Sequence, residues 1–233
     1  MSASSDIGLL FLHALPLDGS MWDQHRGLFN GLSDAPTLYG LGNTLEAWAE
    51  AALKIAKGNR LIVVGCSVGG FCALEVAVLA PERVAALVLI STKAQHRPDS
   101  ILHASALDCL QTRGISGAWA KYWEPLFSQS ADNLKIEAAR NSAMAQRPED
   151  IARGVTVFHS RQNRHQLVSD AQCPIVVVSG DEDIAPGKTY SADLAASAKR
   201  NRLHVIPNCG HYVPLEQPEI LGNILHDVID AVA

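Results

Sequence analysis

The chain has 233 residues, of which 48% are hydrophobic and 18% charged, and its formal net charge is -5. That length and apolar content suffice to bury a sizeable core in one domain, with or without an insertion, which excludes a disordered chain. The acidic balance excludes a nucleic-acid binder that needs a basic face and leaves a small molecule as the natural partner.

The polar start, Met1 to Asp6, carries no basic region ahead of its short apolar run, and no stretch reaches the roughly 18 apolar residues of a membrane span. A soluble, cytoplasmic protein without a membrane partner is expected. Ile7 to Leu12 opens a series of short, nearly continuous apolar runs that resumes at Leu61 to Val64, Ala85 to Ile90, Ile175 to Val178 and Leu203 to Ile206. Runs without polar alternation suit parallel strands buried on both faces. A weaker strand is expected at Ala35 to Tyr39. Leu45, Trp48, Ala49, Ala52, Leu53 and Ala56 follow helical spacing, with Asn43 and Glu46 placed as a capping-box-like start and Gly58 as the stop. At the far end, Leu221, Ile224, Leu225, Val228, Ile229 and Val232 form one apolar stripe suited to packing on a sheet. Strand and helix alternate at both ends of the chain, which predicts a doubly wound α/β domain with a mostly parallel sheet.

Residues Lys93 to Val168 break that rhythm with helical patterns and an aromatic cluster of Trp119, Tyr122, Trp123 and Phe127, and are read as a helical insertion. Five cysteines, Cys66, Cys72, Cys109, Cys173 and Cys209, are odd in number and form no CxxC pair. Neither a disulfide framework nor a zinc cage is implied, and a reducing compartment is the natural setting.

The strongest chemical signal is Gly65-Cys66-Ser67-Val68-Gly69-Gly70, set directly between the strand Leu61 to Val64 and the helix-like run Phe71 to Ala80. A sharp strand-to-helix turn needs glycines around the serine and lifts its hydroxyl above the sheet, which makes Ser67 a candidate nucleophile. A serine hydroxyl is weak unless a base takes its proton. Among nine histidines the best placed is His211, in a loop between the last strand-like run and the C-terminal helix. The orienting carboxylate is sought in Gly180-Asp181-Glu182-Asp183, where Asp181 and Asp183 compete. Cys66, in apolar surroundings, reads as a core residue rather than a second nucleophile. No HExxH, Walker loop or dinucleotide fingerprint is present, so neither metal nor organic cofactor is implied.

With these segments in hand, the chain resembles an α/β-hydrolase of the small esterase type, similar to pimeloyl carrier-protein methyl ester esterases, 3-oxoadipate enol-lactonases and cofactor-free perhydrolases. The carrying segments are Leu12-His13-Ala14-Leu15-Pro16 with Met21-Trp22, the elbow with Ala80 to Val84, the Gly180 to Pro186 loop, and Gly210-His211 with Glu216 to Glu219. The resemblance implies a Ser67, Asp183, His211 triad, with Asp183 chosen because the acid stands three residues after the glycine. It also implies an oxyanion hole from the backbone N–H groups of Leu15 and Val68. Two positions depart from the family pattern: Ala14 replaces the glycine after His13, and Pro186 comes one residue early.

The same resemblance divides the chain into a hydrolase core, 1–92 and 169–233, and a helical cap, 93–168. The cap carries a charge of +3 against -8 for the rest. Attraction for an acidic or carrier-linked substrate and plain solvated helix faces both fit that excess. Trp119, Trp123 and Phe127 are expected either to line an acyl pocket or to hold the cap together. The expected activity is hydrolysis of a small-molecule ester through an acyl-enzyme, with lactone opening, C–C bond hydrolysis and perhydrolysis as alternatives on the same triad. A slow-turnover ligand receptor is the alternative from a different class.

Overall fold

The computed structural model describes residues 7–27 and 32–232. The polar start Met1 to Asp6 lies outside the described residues. Six strands form one sheet in the order β2-β1-β3-β4-β5-β6: β1 (Ile7–Leu12), β2 (Leu32–Asp34), β3 (Arg60–Cys66), β4 (Val84–Ile90), β5 (Ile175–Gly180) and β6 (Asn201–Ile206). Every neighbouring pair is parallel. The helices in chain order are α1 (Asp23–Arg26), α2 (Leu45–Ile55), α3 (Val68–Leu79), α4 (Ser100–Ala118), α5 (Asn133–Met144), α6 (Pro148–Ser160), α7 (His165–Asp170), α8 (Lys188–Ser197), α9 (Val213–Glu216) and α10 (Pro218–Val232). Among the described residues no helix is long and apolar enough to cross a membrane.

The unbroken apolar runs have the expected cause. All residues of β4 and β5 are buried, because helices cover both faces of the sheet. β6 is the edge strand and leaves Leu203 and Val205 exposed. In α10 the stripe of Leu221, Ile224, Leu225 and Val228 is buried.

Two local expectations need correction. Ala35 to Tyr39 is not a strand; pairing is confined to Leu32–Asp34, and Leu38–Leu41 forms a 3-10 turn. Pro36 has no N–H to give to a ladder, and the Leu38 N–H is instead taken by His13 Nε2 at 2.9 Å. The start of α2 is capped by Thr44 rather than Asn43: Thr44 Oγ1 accepts the Ala47 N–H at 3.1 Å. That cap makes Glu46 the second helical residue, too early to close a capping box. The helix ends at Ile55, ahead of Gly58, whose φ of 96° places it in the turn beyond.

Between β4 and β5 the chain runs through α4 to α7. Gly114, with φ 65°, interrupts α4, and a π-helical turn follows at Trp119–Trp123. The two ends of this excursion meet, since the Arg164 N–H donates to the Ala94 carbonyl oxygen at 2.8 Å. Arg164 also reaches Glu75 on α3 with two parallel bonds of 2.8 and 2.7 Å, and the Glu75 side chain is only 1% exposed.

Candidate active site

Ser67, Asp183 and His211 all lie at the carboxyl ends of strands, where parallel sheets open a crevice between their loops. Ser67 joins β3 to α3 with φ 55° and ψ -117°, a left-handed backbone that a side chain rarely adopts. Its surroundings hold it there: the Ser67 N–H donates to Ile90 O at 2.9 Å, while Ser67 O accepts from the Gly70 N–H and Thr92 Oγ1, each at 3.0 Å. The flanking glycines answer a close approach of backbones. A Cβ on Gly65 would stand 2.2 Å from Gly69 O, and one on Gly69 would stand 2.1 Å from Leu12 O.

His211 occupies the loop between β6 and α9 and is buried. Its backbone N–H donates to Leu126 O at 2.8 Å, and the preceding Gly210 N–H is held by both carboxylate oxygens of the buried Glu216 at 3.1 Å. A Cβ at Gly210 would lie 2.4 Å from Leu126 O, so only glycine fits where the two segments touch. His211 Nδ1 lies 3.1 Å from Asp183 Oδ1.

Asp183 is 5% exposed, and the same Oδ1 accepts the Ala185 N–H at 2.9 Å. Burial by itself pushes this carboxyl up, but His211, the Ala185 N–H and Ser91 together hold it below the usual carboxylate range. An ionised Asp183 only accepts, so His211 Nδ1 is the donor and Nε2 is left as the free acceptor. Asp181 stands exposed, its Oδ1 3.4 Å from the Cys209 N–H. Asp183, not Asp181, therefore meets the histidine. Ser91, buried at the end of β4 with φ 49°, was not singled out by motif, and Glu216 stood in a family-like segment without an assigned role; both roles depend on loops brought together by folding.

The loop after β1 is pinned on several sides. Met21 Sδ accepts the Ala14 N–H at 3.2 Å, Tyr212 Oη donates to Leu15 O at 3.0 Å, and Tyr39 Oη donates to Leu17 O at 2.7 Å. The Leu15 N–H makes no hydrogen bond among the described residues, and Val68 opens α3, where a backbone N–H has no intrahelical partner. Ala14 is not among the residues with positive φ, so this loop does not require the glycine that the family pattern places there. His13 is fully buried: Nδ1 donates to Ala14 O at 3.0 Å and Nε2 accepts from Leu38.

Leu15, Ser67 and His211 share the wall of a cavity of about 360 Å³, closed on the other side by Tyr122, Trp123, Leu126 and Phe158 from the segment between β4 and β5. Trp123 is part of that wall; Trp119 and Phe127 are not. They are buried behind it, 6.1 Å apart between ring centroids, with Phe127 4.7 Å from Tyr212. Cys66 is buried, and burial pushes its thiol far up, which leaves it un-ionised.

The chain is 28% identical over 204 residues, 81% of each chain, to a pimeloyl-[acyl-carrier protein] methyl ester esterase from Aromatoleum aromaticum. Its fold superimposes on a thermophilic esterase from Thermogutta terrifontis with a TM-score of 0.86 at 25% identity, covering 98% of this chain and 91% of that one. An enol-lactonase from Burkholderia xenovorans shares the fold at a TM-score of 0.82 and 17% identity, covering 97% and 92%. Residues 9–221 match the alpha/beta hydrolase family, and with its parallel sheet and its serine turn the chain belongs to that family.

Proposed function

We propose that this hydrolase cleaves small-molecule carboxylic esters through an acyl-enzyme on Ser67. The observation that carries the reading is the His211–Asp183 pair opening onto the same cavity as the strained Ser67 turn. Ser67 Oγ attacks the ester carbonyl carbon while its proton passes to His211 Nε2. The carbonyl oxygen becomes an oxyanion held by the Leu15 and Val68 N–H groups. Collapse breaks the C–O bond and the alcohol departs with the proton from His211. Water, deprotonated by the same imidazole, then attacks the acyl carbon, releasing the carboxylic acid and returning the proton to Ser67. Asp183 fixes the ring tautomer and offsets the imidazolium charge in both halves.

In this reading 93–168 acts as a cap over the core of 1–92 and 169–233, and Trp123 with Tyr122 and Leu126 forms the acyl wall. Five free thiols support a cytoplasmic setting. A fluorophosphonate probe is expected to label Ser67, and p-nitrophenyl esters of short acids to turn over repeatedly. Ser67→Ala abolishes both; labelling that persists in the variant overturns the assignment.

A further inference from the structure

Arg161, just past α6, is 7% exposed and forms no ion pair with a carboxylate among the described residues. Its guanidinium lies against two steeply inclined rings, 4.3 Å from the Phe71 centroid and 3.9 Å from that of Phe158. Nη1 donates to the Phe158 carbonyl oxygen, and among the described residues Nε is buried without a partner and Nη2 makes no hydrogen bond. Burial lowers its pKa only to about 10, so it remains a cation at neutral pH. Such a group is costly unless a counter-charge reaches it.

The cavity that holds Ser67 and His211 is where that counter-charge can enter, because Arg161 is part of its wall together with Lys93 and Arg97. Burial, then Arg161 and Arg97, lower the Lys93 ammonium, so the three cations crowd one another. Asp99 is the one carboxylate besides them on this part of the wall, and its Oδ1 already accepts the Leu102 N–H at 2.8 Å. Phe71 follows Ser67 by one turn, about 6 Å along α3, and Ser67, Phe71 and Arg161 line the same cavity. The two rings flank the guanidinium and Phe158 O takes Nη1, which leaves the Nε and Nη2 hydrogens for the flat, two-oxygen geometry of a carboxylate.

We propose that Arg161 is a carboxylate-binding group of the substrate cavity, and that the substrate is a short dicarboxylate monoester. Its free carboxylate pairs with Arg161 while its ester carbonyl meets Ser67. The inference rests on the ester-hydrolase reading and names the substrate class of that site.

The test compares kcat/KM for monomethyl glutarate with that for methyl valerate, its neutral counterpart, in the wild type, Arg161→Met and Arg161→Lys. Arg161→Gln replaces the Met variant should that one fail to fold. The acidic ester is expected to be preferred. The ratio should fall by about 10-fold to 100-fold in Arg161→Met, mainly through KM, and be partly kept by Lys. In parallel, glutarate is titrated calorimetrically into Ser67→Ala with and without Arg161→Met, and the second substitution should weaken binding by a similar factor. An unchanged ratio, or glutarate that binds neither protein or both alike, overturns the carboxylate site. Loss of ester turnover and Ser67 labelling with Arg161-dependent glutarate binding intact would instead overturn the hydrolase reading and leave the site standing.

Discussion

Acidification from pH 7.5 to pH 5 should cost this protein stability through His13. The ring is fully buried, and Nε2 can accept the Leu38 N–H only in the neutral form, whereas Nδ1–H donates to Ala14 O in either form. Burial is the largest influence and outweighs the Ala14 carbonyl and Asp18, drawing the pKa from 6.5 to about 4. Because the folded pKa is the depressed one, the unfolded chain takes up its proton first. The stabilisation is complete above pH 6.5 and is lost progressively as pH falls from there through about 4. For a shift of this size the loss between pH 7.5 and pH 5 is about 2 kcal/mol. His25, also lowered to about 4 by burial, acts in the same direction. Urea unfolding of the wild type and His13→Gln at both pH values measures the effect. Glutamine keeps an acceptor for Leu38, so the variant should be weaker at pH 7.5 yet lose about 2 kcal/mol less on acidification. Equal losses in the two proteins would refute the reasoning.

Asp183→Asn should lower kcat on the order of ten-thousand-fold by offering His211 the wrong tautomer, whereas Asp181→Asn should stay near wild type; steady-state assays that reverse this order would move the acid to Asp181. Gly210→Ala drives a methyl group into Leu126 O and into Ser128 N, at 2.4 and 2.6 Å, both backbone atoms that cannot turn away. A drop of about 2–4 kcal/mol in unfolding free energy, with activity lost through His211, is expected from denaturant titration and assay. Glu75→Leu leaves Arg164 without its two short bonds and should cost about 2 kcal/mol, less than a fully buried pair because Arg164 is 26% exposed and Glu46 stands 3.9 Å away.

What the sequence revealed was local. The runs at Ala85 to Ile90 and Ile175 to Val178 are legible as strands because burial on both faces removes polar alternation. Ser67 is legible because the glycines that the turn demands fall within six consecutive residues. Distant contacts were not legible. The place of Arg161 against Phe71 and Phe158 joins segments far apart in the chain, and no periodicity encodes it. Nor does helical spacing tell which aromatic faces the cavity, since the break at Gly114 and the π turn over Trp119–Trp123 change the pitch; Trp123 reaches the wall while Trp119 turns away. Pro36 spoiled the strand expected at Ala35 to Tyr39 through one missing donor, which an apolar pattern does not register.

The bond between Ala94 and Arg164 brings together the two ends of the segment between β4 and β5. Closing a longer loop across such a contact costs only about 0.6 kcal/mol for each doubling of its length. Insertions and deletions in the intervening segment, away from Leu126, can therefore accumulate over generations without shifting β4 or β5. Ser67, Asp183 and His211 all lie outside the segment, whereas Trp123, Phe158 and Arg161 lie within it. Heritable variation in what the cavity accepts can thus gather in this segment, except around Leu126, whose carbonyl oxygen holds the His211 N–H and must stay in place.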